Sequence, residues 1–345
     1  MRILVVCGGR TSERVVSLAS GDAVATWIKE LGHDVWKYDP EKPGRVVEAT
    51  ARMAPSSIGV DAPSTVGDVA FSPNIVRGLI DVLSSRDIDL VFPILHGGYG
   101  EDGTLQALLE WVGMPYTGSG PRSCALAMHK PTAKALMANA GVPVAKGFSV
   151  RYDEYTNHEQ VTERIETELG YPVVVKPESG GSTVGLSVVN SAEELLPALS
   201  AVREQNDNAL IEKLFVGREI AATVIDGQAF PLVEIRPKQG IYDYTNKYTA
   251  GRTDYFCPAE LSDEMTEKVH AAAAAVFRAL DARGFARVDF LVNETGFICL
   301  ELNSLPGMTA TSLVPKSAKA FGLTEKELIA KIIACAWRTV RIPAH

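Results

Sequence analysis

Four polar side chains near the C-terminal end of the sequence have the types and spacing of a metal site. Arg287 and Asp289 lie two residues apart in one apolar run, and Glu301 and Asn303 lie two apart in the next. Both runs are rich in β-branched and aromatic residues and flank a polar turn, which predicts a β-hairpin. Residues two apart on a strand share a face. A register that places Asp289 opposite Glu301 therefore brings all four side chains together, whereas a slip of one residue separates them.

The donor types in this set decide which metal it suits. Aspartate, glutamate and asparagine offer hard oxygen donors, and without His or Cys such a cluster suits Mg²⁺ rather than Zn²⁺. Magnesium usually completes its shell with substrate phosphates, and the adjacent guanidinium could serve a phosphate or an oxyanion. The alternative is a surface hairpin with weak, solvated ion pairs. Because the strands are otherwise too apolar for a solvated face, we favour the metal site.

The elements that must position this hairpin begin at the N-terminus. Between residues 3 and 95, buried apolar runs alternate with amphipathic segments, a succession typical of a parallel sheet with helices on its faces. The glycine-rich stretch 96–103 follows one of these runs, at the carboxyl end of a strand, where open α/β sheets bind ligands. His96 in this loop, taken alone, is more often an ordinary loop histidine than a catalytic one. The stretch 43–65 is predicted to be irregular, without an assigned function.

Two further segments have the composition of ligand-covering loops. Residues 178–185 form a Gly- and Ser-rich loop directly after Lys176, whose amides and hydroxyls could surround phosphates. The loop lacks Walker spacing, so a P-loop is not predicted, and a plain hairpin loop is the alternative. The Tyr-rich segment 238–255 is too long for an ordinary connection and is a candidate lid.

Length and composition limit the remaining choices. The 345 residues predict two or three compact units, which we place at 1–121, 122–210 and 211–345. The net charge of -8 argues against nucleic acid or an anionic membrane as partner. The five cysteines are dispersed and lack C-x-x-C spacing, and no leader pattern precedes the first strand. These features predict a cytoplasmic protein.

Several stretches together resemble the ATP-grasp superfamily of carboxylate-amine ligases and, within it, the D-alanine:D-alanine ligase family. Lys130, Lys176 with its glycine-rich loop, the Leu-Ile-Glu-Lys run ending at Lys213 and the C-terminal hairpin match the superfamily. The stretches that match the narrower family are 8–17, 96–104, 115–119, 242–248 and 303–315. The resemblance implies an α/β fold in three domains, with an N-terminal open parallel sheet flanked by helices and two α+β domains that enclose ATP.

The resemblance also implies roles in binding ATP. Lys130 and Lys176 would contact phosphates, and Glu219 the ribose. The adenine would be framed by Glu212, Lys213 and Phe215, and Ser182 in the glycine-rich loop belongs with the nucleotide contacts. The implied cofactors are two Mg²⁺ ions, with Mn²⁺ as a substitute, held by Asp289, Glu301 and Asn303.

Further implied roles concern the two amino acids. Glu13 would receive the ammonium of the first D-alanine, with His96 nearby, and Ser312 and Leu313 would bind the carboxylate of the second. A set that closes the lid would join Tyr248 and Ser182 to Glu13, while Lys247 reaches substrate carboxylate and phosphate. Arg287 and the backbone N–H of Gly307 would stabilise the tetrahedral oxyanion.

The implied reaction is ATP-dependent formation of D-alanyl-D-alanine through a D-alanyl phosphate, for peptidoglycan precursor synthesis, by a homodimer. Two alternatives stay open: a related ligase with D-serine, D-lactate or another acceptor, and a catalytically silent nucleotide-binding protein. Two positions depart from the family pattern, since His129 stands where Asp is usual and Ser304 where Thr is commoner. The Lys247-Tyr248 pair fits the dipeptide-forming branch.

Overall fold

The described part of the chain folds around three separate β-sheets. The computed structural model describes residues 1–55, 72–181, 185–239 and 251–339. The predicted lid residues Lys247 and Tyr248, and Ser182 of the glycine-rich loop, lie outside these ranges. Among the described residues, no helix has the length and apolar character needed to cross a membrane.

The first sheet is largely parallel, as the strand and helix alternation predicts. Its strands are β1 (Arg2–Val6), β2 (Asp34–Tyr38), β3 (Val46–Glu48) and β4 (Leu90–Pro93), in the order β3-β2-β1-β4. β1 pairs in parallel with β2 and β4. β3 pairs antiparallel with β2 at the edge. The prediction of an irregular segment from residue 43 therefore missed this short strand.

Both faces of the first sheet are covered. Alternate residues of β1 enter two different cores: Ile3 and Val5 belong to one, and Leu4 and Val6 to the other. The flanking helices are α1 (Arg14–Glu30) on the first of these faces, and α2 (Pro73–Ser85) and α3 (Thr104–Trp111) on the second. Burial on both faces explains why β1 is apolar throughout.

The second sheet lies in the middle of the chain and is antiparallel. Its strands are β5 (Gly147–Val150), β6 (Val173–Pro177), β7 (Ser187–Val189) and β8 (Ala209–Lys213), in the order β5-β8-β6-β7. The helices of this region are α4 (Pro121–Met128), α5 (Lys130–Asn139), α6 (His158–Glu168) and α7 (Leu195–Arg203). Pro131 lies in the first turn of α5, where a missing N–H costs nothing.

The third sheet carries the hairpin of interest. Its strands are β9 (Arg218–Ile225), β10 (Gln228–Ala229), β11 (Val233–Pro237), β12 (Thr253–Phe256), β13 (Phe285–Asn293) and β14 (Gly296–Asn303). The order is β12-β11-β9-β13-β14, with β10 paired to β9. The Asp226-Gly227 turn has φ of 53° and 78°, the positive values that a tight hairpin turn requires. β12 occupies the end of the segment predicted to be a loop.

The last helices of the described chain pack against the core of the first sheet, whereas the helix before the hairpin packs elsewhere. α8 (Asp263–Ala279) packs under the third sheet, and α9 (Leu313–Ala320) and α10 (Glu325–Thr339) follow the hairpin. A capping box starts α10, since the Glu327 carboxylate accepts from Thr324 N at 2.8 Å and Thr324 Oγ1 accepts from Glu327 N at 3.3 Å. Leu328 and Ile332 of α10 join the core formed by α1 and β1.

The hairpin also touches the middle of the chain. The backbone N–H of Cys299 on β14 donates to Pro143 O at 2.7 Å, and Val144 forms an isolated bridge with Cys299. The residues between α5 and β5 therefore lie against the free edge of β14. The boundaries 1–121, 122–210 and 211–345 stay a prediction.

Candidate active site

The register of the C-terminal hairpin places its four polar side chains on one face. Arg287 is paired with Asn303 and Asp289 with Glu301, while Val288 lies opposite Leu302. Val288 and Leu302 point the other way, into the core beneath the sheet. The register that the sequence required for convergence is therefore present.

Arg287 and Asp289 are partners in this structure. Arg287 Nε donates to Asp289 Oδ1 at 2.8 Å and Nη2 donates to Oδ2 at 2.8 Å, while Asn303 Nδ2 donates to Oδ2 at 2.9 Å. Asp289 is 5 % exposed, so the guanidinium and the amide replace the water that the carboxylate has lost. This bidentate pairing fixes the positions of both side chains.

A β-bulge lies next to these carboxylates. The pairing passes from Asp289–Glu301 to Phe290–Cys299, which leaves Leu300 as an extra residue on β14. Bulges bend a strand and increase its twist, and they recur beside active sites. The bend separates the polar end of the hairpin from the part that packs against residues 143–144. Sequence alternation alone did not predict the bulge.

The donor atoms of the hairpin decide which metal ion it fits. Among the described residues, no group of three or more His, Cys, Asp or Glu side chains is placed to hold a metal ion. The hairpin supplies two carboxylates and one amide, which are the hard oxygen donors that Mg²⁺ prefers. A set of this size fits a cation that takes its other ligands from bound phosphate and water. Because Arg287 bonds both oxygens of Asp289, a cation must compete with the guanidinium for this carboxylate.

The loops after β1 and β4 supply the residues predicted for the first amino acid. Glu13 lies at the N-cap position of α1, and His96 follows β4 with 5 % exposure. Burial lowers the pKa of His96, and the Glu13 carboxylate and a hydrogen bond with the Leu305 backbone oppose the change. The Arg287 charge also acts on His96. Glu13 and His96 therefore lie close to each other and to the hairpin.

The ring of His96 leaves one nitrogen without a partner. Its Nε2 atom is buried and has no hydrogen-bond partner in the described part of the chain. An unpaired buried nitrogen is costly. This atom is therefore a natural contact for a bound polar group.

Glu101 is a site residue that the sequence reasoning did not single out. Its Oε2 accepts from Gly97 N at 2.9 Å, across the glycine-rich loop. Its side chain keeps some exposure, yet removal from water and, next, the charge of Glu13 raise its pKa to about 8. The available signal in the sequence was a carboxylate within a glycine-rich loop at a strand end. The groups that shift its pKa come from distant parts of the chain, so sequence spacing did not reveal the shift.

The loop that carries Glu13 is anchored by Asp39. The Asp39 carboxylate accepts from Gly9 N at 3.2 Å and forms an ion pair with Arg14. Gly8 has φ of +94°, and a Cβ at this position would lie 2.7 Å from Asp39 Oδ1. Only glycine allows the loop to pass this close to Asp39. Gly8 N also donates to Ser17 Oγ at 2.8 Å, which ties the loop to α1.

The chain after the hairpin turns through the predicted second amino-acid site. Thr309 N donates to Ser312 Oγ at 3.0 Å, and Ser312 precedes the first residue of α9, the buried Leu313. Ser312 Oγ would lie 3.1 Å from a Cβ at Gly307, so these two residues are adjacent. Met308 N donates to Ser20 Oγ of α1 at 3.2 Å. The N-terminus of α9, with its partial positive charge, therefore lies beside Gly307 and near α1.

Lys130 and Lys176 lie beside the second sheet, Lys130 at the start of α5 and Lys176 on β6. Lys130 Nζ donates to Gly180 O at 2.8 Å, at the start of the glycine-rich loop. Burial lowers the pKa of Lys130, and the charges of Glu301 and Lys176 both act on it. Lys130 therefore lies between the hairpin carboxylates and the second sheet.

Glu212 has two lysine partners. Its Oε2 lies 2.7 Å from Lys176 Nζ, and its Oε1 lies 2.7 Å from Lys134 Nζ. Burial lowers the pKa of Lys134. Sequence reasoning missed Lys134, although it follows Lys130 by four residues in the same predicted helix and so shares its face.

The other predicted nucleotide residues follow β8. Lys213 Nζ donates to Gly170 O at 3.0 Å and to Tyr171 O at 3.2 Å. Phe215 is half-buried in the connection between β8 and β9. Glu219 is half-buried on β9 and is paired in register with Leu291 of the hairpin.

His129 replaces an aspartate without losing the helix cap. It is the N-cap of α5, where its Nδ1 accepts from Thr132 N at 3.4 Å and contacts Thr132 Oγ1 at 2.8 Å. Its Nε2 lies 3.6 Å from Glu178 Oε2. An N-cap needs an acceptor atom, and the imidazole nitrogen supplies it. Lys130 keeps its place at the start of α5.

Comparison with known protein families gives two matches that cover most of the chain. Residues 2–119 match the family described as D-ala D-ala ligase N-terminus. Residues 136–334 match the family described as D-ala D-ala ligase C-terminus. Both site regions, the loops after β1 and β4 and the hairpin, fall within these matches.

Individual relatives match over nearly the whole length. The D-alanine--D-alanine ligase of Geobacter sulfurreducens is 40% identical over 337 residues, which cover 97% of this chain and 94% of the relative. The structure of D-alanine--D-alanine ligase from Bacillus anthracis complexed with ATP has a TM-score of 0.76 at 30% identity and covers 99% of this chain and 98% of that chain. VanG D-Ala:D-Ser ligase from Enterococcus faecalis has a TM-score of 0.76 at 27% identity, covering 97% of this chain and 99% of that chain.

Proposed function

The chain belongs to the D-alanine--D-alanine ligase family, and from this membership we propose that it joins two D-alanine molecules in a reaction that converts ATP to ADP and phosphate. The product is D-alanyl-D-alanine, a precursor for peptidoglycan synthesis. The predicted family and ATP-grasp fold are confirmed. The observation that carries the proposal is the convergence of Arg287, Asp289, Glu301 and Asn303 beside the loops of Glu13 and His96.

We propose that ATP binds between the second and third sheets. Lys130 and Lys176 lie on one wall of this proposed cleft, and their ammonium groups neutralise phosphate oxygens. The adenine lies against the strand end formed by Glu212, Lys213 and Phe215, and Glu219 on the next strand reaches the ribose. The Bacillus anthracis relative, which shares the fold, is complexed with ATP, and this supports ATP as the nucleotide that the chain binds.

We propose that Mg²⁺, or Mn²⁺ in its place, is held by Asp289, Glu301 and Asn303. The oxygen donors of this set support the assignment. When bound, the cations neutralise charge on the phosphates and help to orient the transferred group. With Asp289 among the residues that would hold the cation, we assign the guanidinium of Arg287 to the reacting oxygen.

The first half-reaction makes the carboxylate reactive. A carboxylate is a poor electrophile because oxide is a poor leaving group. The carboxylate oxygen of the first D-alanine therefore attacks the terminal phosphorus of ATP, the bond from that phosphorus to the bridging oxygen breaks, and ADP leaves. Glu13 holds the ammonium of this D-alanine, and His96 Nε2 lies nearby as a polar contact. The residues supply positioning and charge, which is most of what phosphoryl transfer needs.

The second half-reaction forms the peptide bond. The second D-alanine is held by its carboxylate at Ser312 and Leu313, where the N-terminus of α9 favours an anion. Its neutral amine attacks the carbonyl carbon of D-alanyl phosphate, and phosphate leaves. Arg287 and the backbone N–H of Gly307 stabilise the tetrahedral oxyanion, a type of contact worth about 3 kcal/mol.

Several roles rest on residues outside the described ranges. We propose that Ser182 and Tyr248 join Glu13 in a hydrogen-bonded set that closes the lid, and that Lys247 reaches substrate carboxylate and phosphate. Closure keeps water from hydrolysing the acyl phosphate. We further propose a cytoplasmic homodimer with D-alanine and ATP as its small-molecule partners, and without nucleic acid or membrane as partner.

A related ligase with a different acceptor is the second candidate. The observation that favours it is the likeness to VanG D-Ala:D-Ser ligase, although at 27% this identity is below the 40% shared with the Geobacter sulfurreducens relative. The acceptors to compare are D-alanine, D-serine, D-lactate and other amino acids. Phosphate release with each acceptor ranks them directly.

The decisive experiment identifies the product. The protein is incubated with ATP, Mg²⁺ and D-alanine, and the products are separated by chromatography. We expect D-alanyl-D-alanine and equal amounts of ADP. Strong turnover with D-lactate at neutral pH would favour the alternative acceptor, and ATP binding without turnover of any D-amino acid would leave a silent nucleotide-binding protein.

A further inference from the structure

A buried carboxylate in the nucleotide cleft is shared by two ammonium groups from different elements. Lys134 Nζ of α5 lies 2.7 Å from Glu212 Oε1, and Lys176 Nζ of β6 lies 2.7 Å from Glu212 Oε2. The side chains of Lys134, Glu212 and Lys176 are 7%, 4% and 11% exposed. One negative charge thus faces two positive charges, each on its own oxygen.

This arrangement buries one more cation than the carboxylate can neutralise. Burial of an uncompensated charge is unfavourable, and desolvation accordingly lowers the pKa of Lys134. Lys176 and Lys130 act on each other as like charges in the same cleft. An excess of buried positive charge is a site prepared for an anion, and ATP brings several negative charges to this wall.

The two lysines differ in what surrounds them. Lys176 lies on β6 near Lys130, whose ammonium contacts the start of the glycine-rich loop. Lys134 lies one helical turn further along α5, and the groups that act on it are Glu212, Lys176 and the thiol of Cys299. Lys134 therefore approaches Glu212 from the helix, while Lys176 is the member of the pair nearer to Lys130.

We propose that Lys134 is a positioning residue: it neutralises Glu212 so that Lys176 can transfer its ammonium from this carboxylate to a phosphate of ATP. This inference rests on the proposed function. When Lys176 turns toward a phosphate, Glu212 keeps the ammonium of Lys134 and is not left as an unpaired buried anion. In a chain without Lys134, the phosphate and Glu212 compete for Lys176, and Glu212 must lose its last cation before ATP gains one.

The first experiment replaces Lys134 by methionine, an unbranched side chain that is one atom shorter than lysine and carries no charge. Binding of ATP in the presence of Mg²⁺ is measured by calorimetric titration, without D-alanine. We expect Lys134→Met to weaken ATP binding by about 10-fold or more, because a buried ion pair must then be broken for each nucleotide bound. In the dipeptide assay, the KM for ATP rises while the KM values for D-alanine stay within about 2-fold.

The matched control is Lys268→Met. Lys268 also pairs with a glutamate, since its Nζ lies 2.6 Å from Glu264 Oε1, but this pair is exposed on α8. The same substitution there is expected to leave ATP binding unchanged, because exposed ion pairs contribute little.

A second comparison separates charge compensation from packing. Glu212→Gln removes the anion that Lys134 neutralises, so adding Lys134→Met to Glu212→Gln should weaken ATP binding by less than about 3-fold. Should Lys134→Met fail to fold, this comparison of the double variant with Glu212→Gln still tests the inference, because neither variant holds a lone buried carboxylate.

Two results would overturn the inference. One is an unchanged ATP affinity in Lys134→Met that folds, as judged by its thermal unfolding. The other is an equal loss of affinity from Lys134→Met with Glu212 and with Gln at that position, which would mean that Lys134 acts through packing. The proposed function is tested apart from this, by dipeptide formation in the unsubstituted protein.

Discussion

Arg287 and Asp289 bond each other through both carboxylate oxygens, yet the proposed reaction needs each of them for a different partner. Asp289 is needed by a cation and Arg287 by the oxyanion. The pair resolves this conflict because each partner compensates the other's buried charge and holds its orientation until ligands bind. Removal of one member therefore has two effects, loss of its own contact and exposure of an unpaired buried charge.

Replacement of Arg287 separates binding from chemistry. Arg287→Ala is expected to retain ATP binding but to lower kcat by about 100-fold or more, as for loss of an oxyanion donor. Steady-state rates and a nucleotide titration measure the two quantities. Arg122→Ala is the control, since Arg122 pairs with Asp281 on the surface. An unchanged rate in Arg287→Ala would remove this residue from the mechanism.

Glu101 makes the stability of the ligand-free protein depend on pH. Its pKa is about 8 in the folded chain, above the ordinary 4.5, so the folded state holds a proton that the unfolded state has already released. The free energy of unfolding contributed by this group therefore falls as pH rises from 4.5 through 8. The substitution Glu101→Gln should remove this pH dependence of the free energy of unfolding.

Denaturant unfolding at pH 5 and at pH 8, without nucleotide or metal, measures this effect. The stability of Glu101→Gln relative to the unsubstituted protein should rise between the two pH values. A constant difference would show that Glu101 does not hold a proton in the folded state near neutral pH.

Loops that begin at strand ends bring the site together, and their glycines decide how closely they pass. The loop after β1 passes Asp39 at Gly8, and the loop after β4 folds back through Gly97 to Glu101. These loops are short and tied to α1 and to the first sheet, so they present Glu13 and His96 from a rigid support. A substitution at the contact between Gly8 and Asp39 should therefore change the KM for the first D-alanine.

Gly8→Ala tests this anchor. The change imposes a positive φ on alanine and places its Cβ 2.7 Å from Asp39 Oδ1. We expect a loss of more than about 2 kcal/mol in the free energy of unfolding and a higher KM for the first D-alanine. Gly32→Ala is the matched control, because Gly32 also has a positive φ but nothing lies within 4 Å of its added Cβ. It should cost about 1 kcal/mol and leave the KM values unchanged; an equal effect of both substitutions would mean that contact with Asp39 is unimportant.

At the scale of the whole molecule, the chain is acidic while the region where we propose that ATP binds is basic. The net charge is -8, yet Lys130, Lys134 and Lys176 gather at one wall. The positive charge that the proposed phosphate binding requires is therefore local. Elements from opposite ends of the sequence also pack together, because α10 contributes to the same core as β1 and α1.

Ile332→Ala tests how strongly this helix supports the first sheet. Ile332 is fully buried in that core, so the truncation should cost about 2–5 kcal/mol. Hydrogen exchange should accelerate in β1, far away in sequence. Lys326→Ala on the same helix, whose Nζ is 3.8 Å from Glu30, should change stability by less than about 0.5 kcal/mol. Unaltered exchange in β1 would contradict a shared core.

Local patterns predicted much of this arrangement. The alternation around Asp289 and Glu301 predicted which face these side chains share. The bulge at Leu300, the pairing of Lys134 with Glu212 and the raised pKa of Glu101 could not be predicted in this way. Each depends on groups that meet only after the chain has folded, and sequence spacing carries no direct record of those distances.

The helix that closes the chain also has a consequence for synthesis. The core around β1 stays incomplete until Leu328 and Ile332 have left the ribosome, because both residues are part of it. Part of the apolar surface of β1 and α1 therefore stays exposed while nearly all of the sequence between α1 and α10 is synthesised. We expect nascent chains arrested before Glu325 to need chaperone protection that full-length chains do not.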